Sequence, residues 1–149
     1  MPGLVISPSE DDHSYLRNVF ESLRRRLYSA RSCGDGLRLL EVRGIDLVIC
    51  DRELPGGTWE DVLAAAARLA VAPPVIVAAH HPDERFWLEV LERGGCDVLA
   101  KPFRAREVVP ALSLAGQCWR SRKQAVGPRG ERGPRLVRPA ARAALATRA

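Results

Sequence analysis

Aromatic residues are scarce in this chain, 5% of 149 residues, so aliphatic side chains must build its core. Long apolar runs are missing too. The nearest stretch, Val62 to Ala79, is broken by Arg68 and by the Pro73-Pro74 pair, which excludes a membrane span there. No basic segment followed by an apolar one opens the sequence, so no secretory signal is visible and a cytoplasmic location is expected. The four cysteines, Cys33, Cys50, Cys96 and Cys118, include no C-x-x-C pair. In a cytosolic chain such thiols stay reduced and read as small buried hydrophobes.

What is present is a globular balance, 46% hydrophobic and 28% charged residues, long enough to bury one core without disulfide or metal staples. The net charge of +5 is unevenly spread. Residues 1–119 carry 14 basic and 17 acidic side chains, net −3, whereas residues 120–149 carry nine basic side chains and only Glu131, net +8. Basicity therefore belongs to the end of the chain and does not mark the folded part as a nucleic-acid binder.

Short apolar runs alternate with stretches of helical spacing. Leu4-Val5-Ile6 predicts a buried strand. From Glu10 to Leu27, residues Tyr15, Leu16, Val19, Phe20, Leu23 and Leu27 recur at three and four positions and predict a helix capped by Ser9 or Ser7. The acids Glu10, Asp11 and Asp12 suit its first turn, and Arg24-Arg25-Arg26 its solvated end. Tyr28 to Arg31 predicts a second strand, and a helix opening at Gly34-Asp35-Gly36 turns Leu37, Leu40 and Val42 inward. Leu47 to Cys50 is apolar on both faces, as a central parallel strand requires. Leu54 to Gly57 reads as a loop, and Trp59 to Ala70 as a helix capped by Thr58. Pro74 to Ala79 follows as a strand. A helix then begins with Pro82 in its first turn and runs to Arg93. Cys96 to Ala100 is the last strand, and Arg104 to about Arg120 the last helix. Five strands alternating with five helices predict one doubly wound α/β domain with a parallel sheet. Residues 121–149 follow as a basic, disordered tail without an apolar period. Its arginines lack interleaved aromatics, so at most they attract nucleic acid weakly.

Asp51 directly follows the central strand, and Lys101 directly follows the last one. Both therefore lie at the carboxyl edge of a parallel sheet, where ligands of doubly wound folds bind. An acid and an ammonium there either hold an anion between them or form a plain salt bridge.

The segments Val48-Ile49-Cys50-Asp51-Arg52-Glu53-Leu54-Pro55 and Ala100-Lys101-Pro102-Phe103, set in five βα units over about residues 3–120, resemble the receiver domain of bacterial two-component response regulators. The resemblance implies a flavodoxin-like sheet of strand order 2-1-3-4-5 and a stand-alone receiver in phosphorelay signalling. It makes Asp51 the phosphoacceptor and Lys101, next to a cis Lys-Pro bond, the contact to the phosphoryl oxygens. A histidine kinase or phosphotransfer protein would be the donor. A downstream protein or a second copy would meet the face built from the fourth helix, fifth strand and fifth helix, to which Trp119, Phe86 and Arg93 contribute if exposed. The protein would be a signalling acceptor rather than a metabolic enzyme.

The family's pattern is altered at several points. The acidic pair that holds Mg²⁺ after the first strand is replaced by Ser7 and Pro8. Ala79 stands where a hydroxyl is usual, and Val98 stands at the aromatic switch position. Glu53, two after Asp51, is a candidate metal ligand alongside Asp51, or a mimic of a bound anion. His80 is a candidate donor to a phosphoryl oxygen in place of the lost hydroxyl; His80, His81 and His13 make a transition-metal site the less favoured reading. The alternative function is a phosphorylation-independent pseudo-receiver that acts as a protein-protein interaction module.

Overall fold

The computed structural model describes residues 2–126. Its strands are β1 (Gly3–Ile6), β2 (Leu27–Ala30), β3 (Leu47–Asp51), β4 (Glu53–Leu54), β5 (Gly57–Thr58), β6 (Val75–His80) and β7 (Asp97–Lys101). The helices are α1 (Glu10–Ser22), α2 (Cys33–Val42), α3 (Trp59–Ala67), α4 (Glu84–Glu92) and α5 (Ala105–Val126). Five strands form one sheet in the order β2-β1-β3-β6-β7, all parallel. Counted among themselves they run 2-1-3-4-5, the expected flavodoxin-like order. The order reverses between β1 and β3, which places a crevice at their carboxyl ends.

Strand alternation sorts the core into two layers. Leu4, Ile6, Val48, Cys50, Val75, Val77, Ala79 and Val98 face one side, where Leu40, Trp59, Val62, Ala66, Phe86, Trp87 and Val90 cover them. Val5, Leu47, Ile49, Ile76 and Leu99 face the other, under Leu16 and Phe20 of α1 and Val108, Ala111, Leu112 and Ala115 of α5. Gly3 is glycine because α1 sits so close: a Cβ there would lie 2.8 Å from Phe20 Cε2.

Several local expectations are corrected. Helix α1 ends at Ser22 rather than Leu27. Leu23 is its exposed C-cap, and Leu27 opens β2. The arginines 24–26 thus form a connecting turn, in which Arg24 adopts φ 58 and Arg25 pairs with Asp46 at 2.6 Å. Val42, expected inside, is 68% exposed in the last turn of α2. Pro82 precedes α4 instead of entering it, because Asp83 is the cap and accepts the Phe86 N–H at 2.8 Å. The segment after Asp51 is not a plain loop: β4 and β5 pair antiparallel, Glu53 with Thr58 and Leu54 with Gly57. Pro55 and Gly56 occupy the turn, where proline presets φ and Gly56 supplies the required φ of +85°. Helix α5 continues past Arg120 to Val126. The rest of the proposed tail, residues 127–149, lies outside the described residues.

The hairpin runs straight into α3 through a capping box. The Thr58 hydroxyl accepts the Glu60 N–H at 3.3 Å, and Asp61 Oδ2 accepts the Thr58 N–H at 3.1 Å. Thr58→Ala is therefore expected to lower stability by about 1 kcal/mol, read as a lower urea midpoint with an unchanged slope.

Candidate functional site

The crevice at the carboxyl edge gathers four side chains from three strands and one helix. Asp51 ends β3 and Lys101 ends β7; Ser7 follows β1, and Asp12 lies in the first turn of α1. Lys101 Nζ donates to Asp51 Oδ1 and to Asp12 Oδ2, both at 2.8 Å. The Ser7 hydroxyl donates to Asp12 Oδ2 at 2.8 Å and reaches Asp51 Oδ2 at 3.2 Å. Its one proton serves two acceptors, so the shorter bond to Asp12 is the stronger. The Ser9 N–H donates back to Ser7 Oγ at 3.0 Å.

Both carboxylates are only 8% exposed. Burial pushes the Asp51 carboxyl above the ordinary aspartate range. Lys101 and the Ser7 hydroxyl pull it back, while the neighbouring Asp12 charge adds to the rise. Burial by itself would pull the Lys101 ammonium down, but its bonds and charge attraction to Asp12 and Asp51 outweigh that and leave its pKa raised. Two acids thus share one firmly charged ammonium.

Asp12, which reads in the sequence more simply as helix-terminal charge than as an acid that reaches a metal, belongs to the cluster. The signal for it was present: Asp12 precedes Leu16 by four positions and Phe20 by eight, on the helix face that turns inward. Glu10 and Asp11, off that face, are exposed, and Glu10 pairs with Arg31 instead. His13 also turns inward. It is fully buried and its Nε2–H donates to the Ser7 carbonyl at 2.7 Å, which fixes the turn that carries the Ser7 hydroxyl.

The other candidates fall around this cluster. Glu53 sits in β4 with its side chain exposed. His80 pairs in register with Lys101 at the same edge but is exposed. Its ring lies 6.5 Å from that of His81, while His13 lies buried beneath the Ser7 turn. Among the described residues no group of three His, Cys, Asp or Glu side chains that could hold a metal ion forms. Ala79 and Val98 are both buried and bring neither hydroxyl nor aromatic ring to the edge. Phe86 is buried under Arg52, whose guanidinium lies 4.0 Å from the ring centroid, and meets Trp59 edge-on. It therefore does not belong to an exposed partner face, whereas Arg93 is exposed and pairs with Glu60. The Lys101-Pro102 peptide bond is cis.

The family model for the response regulator receiver domain matches residues 4–113. The chain belongs to the response regulator receiver family. This receiver is 29% identical over 124 residues to nodulation protein W of Bradyrhizobium diazoefficiens, an alignment covering 81% of this chain and 55% of that one. It is 33% identical over 106 residues to the sensory transduction protein RegX3 of Mycolicibacterium smegmatis, covering 69% and 46%. Among solved structures, the signal receiver domain of an HD domain-containing protein from Pseudomonas fluorescens Pf-5 superposes with a TM-score of 0.72 at 26% identity, covering 80% of this chain and 98% of that one. The receiver spans about half the length, or less, of the curated relatives it matches. No helix among its described residues is long and apolar enough to cross a membrane.

Proposed function

We propose that this receiver accepts a phosphoryl group on Asp51 from a histidine kinase or phosphotransfer protein. The observation that carries the reading is the position of Asp51, buried at the end of the central strand, with Lys101 and Asp12 converging on it. Asp51 Oδ1 is held by Lys101, and Oδ2 has only the longer bond to Ser7. Oδ2 is thus the oxygen left to attack phosphorus: an O–P bond forms as the bond to the donor breaks, and the donor leaves with its electron pair. Lys101 stays charged and neutralises the phosphoryl oxygens, which is most of what phosphoryl transfer asks of a protein.

Mg²⁺ fits the donor set in chemistry. Asp12 and Asp51 present hard carboxylate oxygens on either side of one ammonium, and Mg²⁺ binds through one or two carboxylates while keeping several waters. Asp12 and Asp51 would hold it, with Glu53 close by in sequence, and the ion supplies positive charge against the transferring group. In this reading Asp12 stands in for the acidic pair missing at Ser7 and Pro8.

The receiver runs to the end of α5 at Val126, and the basic residues that follow in the sequence are a tail to it. The chain works as a signalling acceptor whose chemistry is limited to gaining and losing its own phosphoryl group, within the cytoplasm. A downstream protein or a second copy meets the face of α4, β7 and α5, where Leu88 and Val109 are exposed.

The test is incubation of the full chain with acetyl phosphate and Mg²⁺, followed by peptide mapping. The expected result is a gain of about 80 Da, one phosphoryl group, on the peptide containing Asp51, lost when the metal is chelated. Asp12→Asn is expected to raise the Mg²⁺ concentration for half-maximal labelling by about tenfold or more. Labelling elsewhere, or none, would overturn the assignment and favour a phosphorylation-independent interaction module.

A further inference from the structure

Opposite the acidic crevice, where the strands begin, two positive segments from distant parts of the sequence meet. The turn Arg24-Arg25-Arg26 leads into β2, and Trp119 and Arg120 lie in the second half of α5. With Pro2, Asp46 and Gly116 they line a cleft of about 550 Å³, a volume inside the ~300–1,000 Å³ range of small-molecule sites. Its lining holds four arginines and one carboxylate. That carboxylate is already engaged: Asp46 Oδ1 accepts from Arg25 Nη2 at 2.6 Å. Arg25 also lies over the Phe20 ring, 5.4 Å from its centroid. Arg24, Arg26 and Arg120 are exposed, and among the described residues no carboxylate forms an ion pair with them. Gly116, one helical turn before Arg120, leaves room for its guanidinium, whose Nη1 lies 3.5 Å from where a Cβ would stand.

The turn carries two costs at once. Arg24 holds φ 58, a left-handed backbone that side chains other than glycine rarely adopt, and three consecutive cations border one concavity, where they repel each other. Its backbone is nevertheless pinned. The Arg24 N–H donates to the Glu21 carbonyl at 3.0 Å, the Arg25 N–H to the Phe20 carbonyl at 2.8 Å, and the Arg26 carbonyl accepts the Gly3 N–H at 3.0 Å. The cations are therefore held together in advance of any ligand, and an anion seated among them relieves their repulsion.

We propose that this cleft is a nucleotide site, in which Arg24, Arg26 and Arg120 hold the di- or triphosphate and Trp119 packs against the base. A guanidinium offers phosphate oxygens paired N–H donors in a fixed fork, and three unpaired guanidiniums suit more than one phosphate. Trp119 is only partly buried, and an indole ring stacks on any base. Lys123 Nζ lies 6.0 Å from the Trp119 ring centroid and adds positive charge beside it. The sequence after Val126 brings six arginines and one acid, Glu131, so the chain has little negative charge of its own to offer this cleft. At the opposite pole, Asp12 and Asp51 favour a cation rather than an anion.

The test titrates the full chain with ATP and with GTP, in EDTA so that no metal carries nucleotide to the acidic crevice, at about 0.15 M salt to screen diffuse attraction. Tryptophan fluorescence and melting temperature are read together. The expected result is a saturable fluorescence change and a rise in melting temperature with nucleotide concentration. Inorganic triphosphate should raise the melting temperature without the fluorescence change, and adenosine should do neither. Arg26→Gln and Arg120→Gln, both at exposed positions, should each weaken nucleotide binding by about tenfold or more, the effect of one lost charge-assisted bond. Trp119→Phe should abolish the fluorescence change and keep the thermal shift, since Trp59 and Trp87 are buried elsewhere. No response to either nucleotide, equal affinity in the arginine variants, or a fluorescence change that survives Trp119→Phe would overturn the proposal. So would binding of a single-stranded oligonucleotide when ATP and GTP are inert, which would make the cleft a nucleic-acid surface instead. Asp51→Asn should bind nucleotide as wild type does, so these readouts stand apart from the phosphoacceptor reading.

Discussion

Lys101→Met is expected to destabilise the fold by about 3–5 kcal/mol at pH 7, the range for stripping a buried charge of its partner. The methionine keeps most of the aliphatic stem, so the change isolates the ammonium. Without it, the Asp12 and Asp51 carboxylates face each other in a crevice that leaves each only 8% exposed, with one shared serine hydroxyl to satisfy them. The loss has a signature in pH. The Asp51 carboxyl is already raised with Lys101 in place, and removal of the ammonium raises it further. A raised acid contributes fully to stability below its unfolded pKa, and the contribution is lost as pH rises through the folded pKa. Urea denaturation should therefore show the variant far below wild type at pH 7 and the gap narrowing as pH falls toward the carboxylate range. A gap unchanged by acidification would mean that the damage is steric.

Asp51→Asn is expected to act in opposite directions on chemistry and stability. Labelling by acetyl phosphate should vanish, since an amide offers no nucleophilic oxygen. Stability at pH 7 should instead rise by about 1 kcal/mol, because a buried charge is replaced by a neutral amide whose oxygen still accepts from Lys101 while its NH2 donates to the Ser7 hydroxyl oxygen. The same sign argument sets the window. In wild type the stabilising contribution of Asp51 is present below the ordinary aspartate pKa and fades as pH rises through its elevated folded value. The advantage of the variant should therefore be absent at low pH and grow toward neutrality. Mass spectrometry and urea midpoints at pH 4 and 7 measure both effects. A variant less stable than wild type at pH 7 would show that the Lys101 bond outweighs the burial of the charge.

The parts of the fold that were legible in the sequence were those with a strong period or a strong boundary. Leu47 to Cys50 is apolar on both faces because it lies at the centre of the sheet with helices above and below, and Asp51 and Lys101 stood out by ending such strands. What escaped depended on contacts between elements. Asp12 looks like any first-turn acid until α1 is laid across the sheet edge and brings it to Lys101, 89 residues away. The β4–β5 pair is two residues on each side, too short to show alternation, and only the Pro55-Gly56 turn hints at it. Leu23 and Val42 fit their apolar stripes, but each sits where its helix ends, so nothing packs over it.

Helix α5 begins just after Lys101 and runs back past the sheet to Val126. Its 22 residues span about 33 Å at the usual helical rise. Near its far end, Trp119 and Arg120 line one cleft with Pro2 and the turn of Arg24, Arg25 and Arg26, at the pole where the strands begin. Access to the two ends is thereby separated: a donor docked at the acidic edge and a molecule held where α5 ends do not compete for space, so this small body has room for two neighbours at once.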